Sequence, residues 1–196
     1  MTNETFVLPL LKKEIAKVHA LEDDAWEALS KKWFLFKAKR KQVLTLKGEK
    51  EKYIYFVTEG VQRAYYTSND KEATLVFTYP YSFSGVVDSF FLQIPARCTF
   101  ETLTTSTFLR IHYADFCPLI EKHRSIETWI RKAVTFTLSG VLERQLELAA
   151  FDAKQKFTTL LNRSPHILNL IPHKYLASYI GVDPVTFSKM LGTVKL

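Results

Sequence analysis

The residues whose types and spacing could do chemistry lie near the C-terminus, in residues 172–191, PHKYLASYIGVDPVTFSKML. Pro172 suits the opening of a helix, where its missing N–H is no loss. Leu176, Ala177 and Ile180 then share one helical face, and Ala177 is small where two helices would cross. Gly181 can supply the positive φ of a tight turn. Asp183 can cap a second helix that has Pro184 at its first position. Val182, Phe187 and Met190 or Leu191 would close a small core. This is the pattern of a helix-turn-helix. In a DNA reader of that kind the second helix enters the major groove, and its early side chains meet base edges. Here those side chains are Val185, Thr186, Ser188 and Lys189. The hydroxyls of Thr186 and Ser188 suit bases or phosphates, and Lys189 is the strong donor. Lys174, on the first helix, is a further candidate DNA contact. Residues 151–196 carry Lys154, Lys156, Arg163, Lys174, Lys189 and Lys195 against only Asp152 and Asp183. That surplus makes double-stranded DNA the expected partner. The same helix, turn and cap also occur in helical hairpins that bind nothing.

Other chemistries find little support. Only His112 lies among the β-rich runs, and His19, His123, His166 and His173 fall elsewhere without ligand spacing. A cupin-type oxygenase would need two or three converging histidines, so no metal is expected. Cys98 and Cys117 form no C-x-x-C or zinc pattern and are expected as reduced thiols. Nucleophile elbow, P-loop and dinucleotide fingerprint are all missing. The expectation is a protein that is not an enzyme, with no catalytic residue assigned.

The elements that must position these residues fall into three zones. Residues 21–32 read as a short amphipathic helix, with Asp23 and Asp24 near its start and Lys31 and Lys32 at its end. Residues 31–41 carry six Lys or Arg and read as a solvated turn, with Trp33, Phe34 and Phe36 packing inward. From about residue 36 to 112, β-rich runs recur at 43–46, 53–57, 61–66, 74–78, 98–103 and 107–112. Turn signals at Gly48, Gly60, Asn69-Asp70 and Thr104-Thr105-Ser106 separate most of them. Such spacing, with no intervening helical pattern, predicts an antiparallel sandwich or small barrel. From about Asp115 the chain reads as helical. Residues 125–150 hold no proline and one glycine, and Val134, Leu138, Val141, Gln145 and Leu148 alternate four and three apart on one seam. That seam either packs on the chain's own β domain or pairs with a second copy. Residues 152–162 form a further amphipathic helix. The fold class is therefore α+β, with an antiparallel, jelly-roll-like double-sheet β-roll in residues 1–124. A long dimerisation helix spans 125–150, and a small α-helical helix-turn-helix domain spans 151–196.

Composition agrees with a globular chain: 47% of residues are hydrophobic and 24% charged, with a net charge of +7. The positive balance favours anionic partners. The N-terminal MTNETFVLPLLKKE has neither the basic start of a signal peptide nor a membrane-length apolar run. A cytoplasmic protein with no membrane partner is expected.

The order of β-roll, long helix and terminal helix-turn-helix resembles the Crp/Fnr family of bacterial regulators. YIYFVTEGVQR from Tyr53 to Arg63 is similar to the family's strand, glycine turn and strand signature. The tail resembles its Bacteroidetes-type members through residues 157–165, 175–181 and 184–189. The resemblance implies a homodimeric transcription regulator with a cyclic nucleotide, or another small anion, as its effector. Family members that bind cyclic nucleotides use a Phe-Gly-Glu stretch and, about ten residues on, an Arg followed by Ser or Thr. The matching region here is FSGVVDSF from Phe83 and PARCT from Pro95. It implies an effector site at Gly85, Asp88, Ser89, Arg97, Cys98 and Thr99, with Arg97 on the anion. Val86 stands where the ribose-binding Glu is expected, and Asp88 is close but shorter. Losing that carboxylate predicts cyclic AMP binding weaker by about one to two decades. Val185 and Lys189 also replace the Glu and Arg of many recognition helices, and a lysine lacks the bidentate grip of arginine on guanine. Two functions stay open: a DNA-binding regulator, or a ligand-sensing or interaction protein that has lost specific DNA binding.

Overall fold

The computed structural model describes residues 4–69 and 71–193. Asp70 of the expected turn and Lys195 of the basic tail lie outside the described residues. The chain opens with helices α1 (Glu4–Val18) and α2 (Asp23–Ser30). Strands β1 (Phe34–Ala38), β2 (Val43–Thr45), β3 (Tyr53–Glu59), β4 (Gln62–Ser68), β5 (Lys71–Thr78) and β6 (Phe83–Ser84) follow. After α3 (Val87–Leu92) come β7 (Thr99–Thr102) and β8 (Ser106–His112). The rest is helical: α4 (Tyr113–Lys122), α5 (Arg124–Ala150), α6 (Ala153–Arg163), α7 (Ile167–Leu170), α8 (His173–Ile180) and α9 (Pro184–Thr193).

Two antiparallel four-stranded sheets make the β-roll, in the orders β1-β8-β3-β6 and β2-β7-β4-β5. Strand alternation divides the core. On β3 and β8, Ile54, Phe56, Leu109 and Ile111 pack against Leu11, Ile15, Leu29, Phe116 and Trp129 of the helices. Their neighbours Tyr55, Val57 and Phe108 face the other way, onto Ala64 and Phe100 of the second sheet. Val61, Phe77 and Leu103 meet Phe157, Ile171, Leu176 and Phe187 of the C-terminal helices. The molecule is thus layered as helices, sheet, sheet and helix-turn-helix.

Each β-rich run becomes a strand, with ends shifted by at most three residues. Three segments depart from expectation. Residues 34–38 form a strand rather than a solvated turn, paired with β8 from Phe34↔Arg110 to Ala38↔Ser106. Leu35, Phe36 and Ala38 supply its inward faces, while charge on an edge strand is tolerated and discourages pairing with other chains. Trp33 is buried, but Phe34 is 38% exposed rather than packed inward. Residues 4–18 form a full helix, although Pro9 lies inside it. Burial of Leu11 and Ile15 outweighs the hydrogen bond that a proline removes. The short helix α3 interrupts a region read as strands alone.

Helix α5 is only half embedded. Ile126 and Trp129 are buried in the core. Beyond residue 133 the helix exposes Val134 at 40%, Leu138 at 55%, Val141 at 59% and Leu148 at 39%. The seam therefore does not pack on the chain's own β domain. Phe136, Leu142 and Leu146 add to this exposed apolar surface.

Candidate functional site

The helix-turn-helix forms as its punctuation predicts. Helix α8 ends at Gly181, whose φ is +69°, and the N–H groups of Gly181 and Val182 close onto the carbonyls of Ser178 and Ala177. An L-residue would be strained there. Asp183 then starts α9, accepting from the N–H groups of Val185 (3.0 Å) and Thr186 (2.9 Å) and from the Thr186 hydroxyl. The Thr186 hydroxyl and these amides hold the Asp183 carboxyl below its usual range. Leu176, Ala177, Ile180 and Phe187 are fully buried. Val182, Met190 and Leu191 are partly buried against them. On the opposite face of α9, Val185 is 64% exposed, and Ser188 and Lys189 are also exposed.

The four expected DNA contacts do not all present free groups. Lys189 is exposed and makes no ion pair among the described residues. Lys174 is exposed, with its Nζ 4.8 Å from the Tyr175 ring centroid. Thr186 donates to its own cap. Ser188 donates to the Pro184 carbonyl one turn back, at 2.9 Å. Arg163, counted among the basic residues, is turned inward onto Glu147 and Glu143 of α5.

The helix-turn-helix is bound to the roll by a polar clasp that sequence reasoning missed. Arg63 on β4 is 2% exposed. Its Nε donates to Glu101 (2.7 Å), its Nη2 meets Glu72 (2.6 Å), and its guanidinium lies 3.8 Å over the Tyr175 ring. Lys41 donates to Glu101 (3.0 Å) and to the Tyr175 hydroxyl (2.8 Å). Burial would raise the Tyr175 phenol, but the Lys41 bond and the nearby Arg63 charge hold it below its ordinary value. The Ser178 hydroxyl accepts from the Thr74 N–H (2.9 Å) and donates to the Glu72 carbonyl (2.6 Å). A second tie joins α5: buried Glu147 accepts from Arg144 and Arg163, and Arg144 also reaches the Tyr179 carbonyl. Arg63 stood inside a recognisable motif, but nothing in the sequence paired it with Tyr175.

In the loop around α3, Gly85 has φ +125°, and a Cβ there would lie 3.1 Å from the Tyr53 carbonyl. Asp88 and Arg97 are exposed, and neither makes an ion pair among the described residues. Ser89 is buried as a framework residue, accepting from the Glu51 N–H (2.9 Å) and donating to the Ile94 carbonyl (2.6 Å). Thr99 accepts from the Lys47 N–H at 3.2 Å. Cys98 is buried, and burial, aided by the charges of Asp88 and Glu51, pushes its thiol up to about 11. Both cysteines are free thiols. Behind the loop, Val86, Ala96 and Cys98 pack with Tyr55, Phe100 and Phe108 between the sheets.

Glu51 was also missed. It is 1% exposed and accepts from the Thr45 hydroxyl (2.7 Å) and the N–H groups of Lys52 (3.0 Å), Tyr53 (3.1 Å) and Val86 (3.2 Å). Burial raises its carboxyl despite these bonds. Among the described residues no group of His, Cys, Asp or Glu could hold a metal ion, and no helix is long and apolar enough to cross a membrane.

Residues 35–123 match the cyclic nucleotide-binding domain family. No curated protein matches the chain. Among solved structures, FixK2 from Bradyrhizobium japonicum has a TM-score of 0.72 at 16% identity, covering 82% of this chain and 83% of that one. CLP from Xanthomonas campestris, a c-di-GMP-responsive global regulator, has a TM-score of 0.67 at 16% identity, covering 88% and 91%. A chain from Eubacterium rectale described as a Crp/Fnr family transcriptional regulator has a TM-score of 0.69 at 14% identity, covering 88% and 83%. The β-roll of this chain thus matches the cyclic nucleotide-binding domain family over residues 35–123, and the chain as a whole shares its fold with these solved regulators.

Proposed function

We propose that the chain is a homodimeric, DNA-binding transcription regulator of the Crp/Fnr type, whose β-roll takes a cyclic nucleotide or another small anionic effector. The observation that carries this reading is α9. Its inner side is locked by Phe187, while Val185, Ser188 and Lys189 stand exposed beyond a capped N-terminus. Lys174 and Lys189, both exposed, supply positive charge for phosphate. The exposed seam of α5 supports pairing with a second copy, because solvent-facing apolar stripes of this length are rare on monomers. Arg97, exposed and without an ion pair among the described residues, is the group suited to an effector's negative charge. With Val86 in place of a carboxylate and Asp88 facing solvent, cyclic AMP is expected to bind weakly.

Fluorescence anisotropy with duplex DNA at rising salt tests the reading. Binding should weaken steeply with salt, and Lys189→Ala should lower affinity about tenfold or less, since one lysine contributes a single phosphate or base contact. No binding at low salt, or binding independent of salt, overturns it. A second reading has one observation in its favour. Val185 is apolar at the centre of the reading face, and the Thr186 and Ser188 hydroxyls are engaged locally. This favours a ligand-sensing protein without specific DNA contacts, for which all duplex sequences would bind alike.

A further inference from the structure

Between the two sheets, at the end of the roll where β3 begins, lies a cavity of about 480 Å³ whose lining includes Phe36, Thr45, Glu51, Tyr53, Tyr55 and Arg110. Arg97 is not part of that lining. The Arg110 guanidinium is faced by rings, 3.8 Å from the Phe36 centroid and 4.2 Å from that of Tyr53. It makes no salt bridge among the described residues, and its buried Nε has no hydrogen-bond partner. Buried donors are nearly always paired, so this one is exceptional. Glu51 does not answer it, since four other donors already hold that carboxylate. Lys50 and Lys52 stand exposed among the lining residues.

The geometry points to a second ligand site here, for a small organic carboxylate with a flat apolar body. Rings cover the faces of the guanidinium, and beyond its hydrogen bond to the Tyr55 hydroxyl its edge, with the unpartnered Nε, remains for a carboxylate gripped through N–H groups. The half-buried rings of Phe36 and Tyr53 offer stacking surface for the body. The two lysines draw anions toward the mouth. The volume lies within the range of pockets that hold small molecules, roughly 300–1,000 Å³. The site stands apart from the loop carrying Gly85 and Arg97, and its occupation does not depend on whether the chain binds DNA. Glu51 connects the two places, because it also holds the Val86 N–H.

Calorimetry on the full chain, without DNA, tests the site with benzoate, phenylacetate, acetate and inorganic phosphate. An aromatic carboxylate should bind at least tenfold more tightly than acetate or phosphate. Arg110→Gln and Arg110→Lys should each weaken it about tenfold or more, and Arg97→Ala should change it less than twofold. Tyr53→Leu, which leaves the guanidinium in place, should weaken the aromatic ligands and not acetate, and this variant decides the matter if the Arg110 variants fail to fold. The site is overturned if no aromatic carboxylate binds, if phosphate binds as well as benzoate, or if Arg97→Ala rather than Arg110→Gln removes binding.

Discussion

Glu147 shows how one buried carboxylate can govern the joint between the long helix and the helix-turn-helix. Burial alone would raise its pKa, but the hydrogen bonds and charges of Arg144 and Arg163 outweigh that and hold it below the ordinary carboxylate range. A carboxyl whose folded pKa is depressed stabilises the fold above its unfolded pKa, about 4.3. That stability is lost as pH falls through the lower folded value. Glu147→Gln should therefore cost about 2 kcal/mol at neutral pH, as charge-assisted bonds typically do once partial exposure of Arg163 is allowed for. Thermal melts of the two proteins should differ by a constant amount from about pH 6 to 8 and converge only as the pH falls below the depressed folded value. A gap that stays constant as the pH falls through the whole carboxylate range would show that the loss is one of packing. At Gly60 the constraint is steric. Its φ is +89°, and a Cβ would sit 2.4 Å from the Ser106 hydroxyl and 2.5 Å from the Thr105 carbonyl. Gly60→Ala should lower stability by more than about 1 kcal/mol, through strain in both the turn and the facing loop. A denaturant midpoint within error of the parent would refute that contact.

At the scale of elements, α8 faces two ways: one side builds the helix-turn-helix core and the other grips the roll. Ser178 bridges to both Glu72 and Thr74 of β5, and Tyr175 sits against Arg63 and Lys41. Ser178→Ala leaves the Thr74 N–H without its acceptor and should cost about 1–2 kcal/mol. Tyr175→Phe keeps the ring under Arg63 but removes the Lys41 bond, at about 1 kcal/mol. Because the two residues lie on one helix face, the double variant measures whether the clasp acts as a unit. Hydrogen exchange should then rise in α8 and β5 together; exchange unchanged at β5 would mean the clasp carries no load.

The clasp also marks where the sequence stops being readable. The helix-turn-helix was legible because Pro172, Gly181, Asp183 and Pro184 are local signals, each fixing the backbone of its own neighbourhood. Lys41, Arg63, Glu72, Glu101 and Tyr175 are spread across the chain, and they meet only because the strand register sets Arg63 opposite Glu101 and Phe77. Glu51 was hidden for a similar reason, standing in a charged run, KGEKEK, that has every mark of solvent exposure. Edge strand β1 was masked by its own lysines, and α1 by Pro9. Local chemistry shows in a sequence; the partner a side chain finds across the fold does not.

For the whole molecule, the question is what covers the outer half of α5. Seven large apolar side chains there, from Val134, Phe136 and Leu138 through Val141, Leu142, Leu146 and Leu148, are 39% or more exposed. A second α5 laid along the seam would bury Val134, Leu138, Val141 and Leu148, which share one helical face. In the proposed dimer two copies of α9 act on one DNA duplex, and the second contact becomes intramolecular. Such linkage can raise affinity by about 10²–10⁴ over a single contact. Leu138→Glu combined with Val141→Glu places charges in the seam without touching the β-roll core or the helix-turn-helix. Light scattering should then report a monomer that melts near the temperature of the undimerised parent, and duplex affinity should fall by about a hundredfold or more. A dimer that survives both charges would move the interface elsewhere. A monomer that binds DNA as tightly as the parent would mean that one α9 suffices and that the seam serves another purpose.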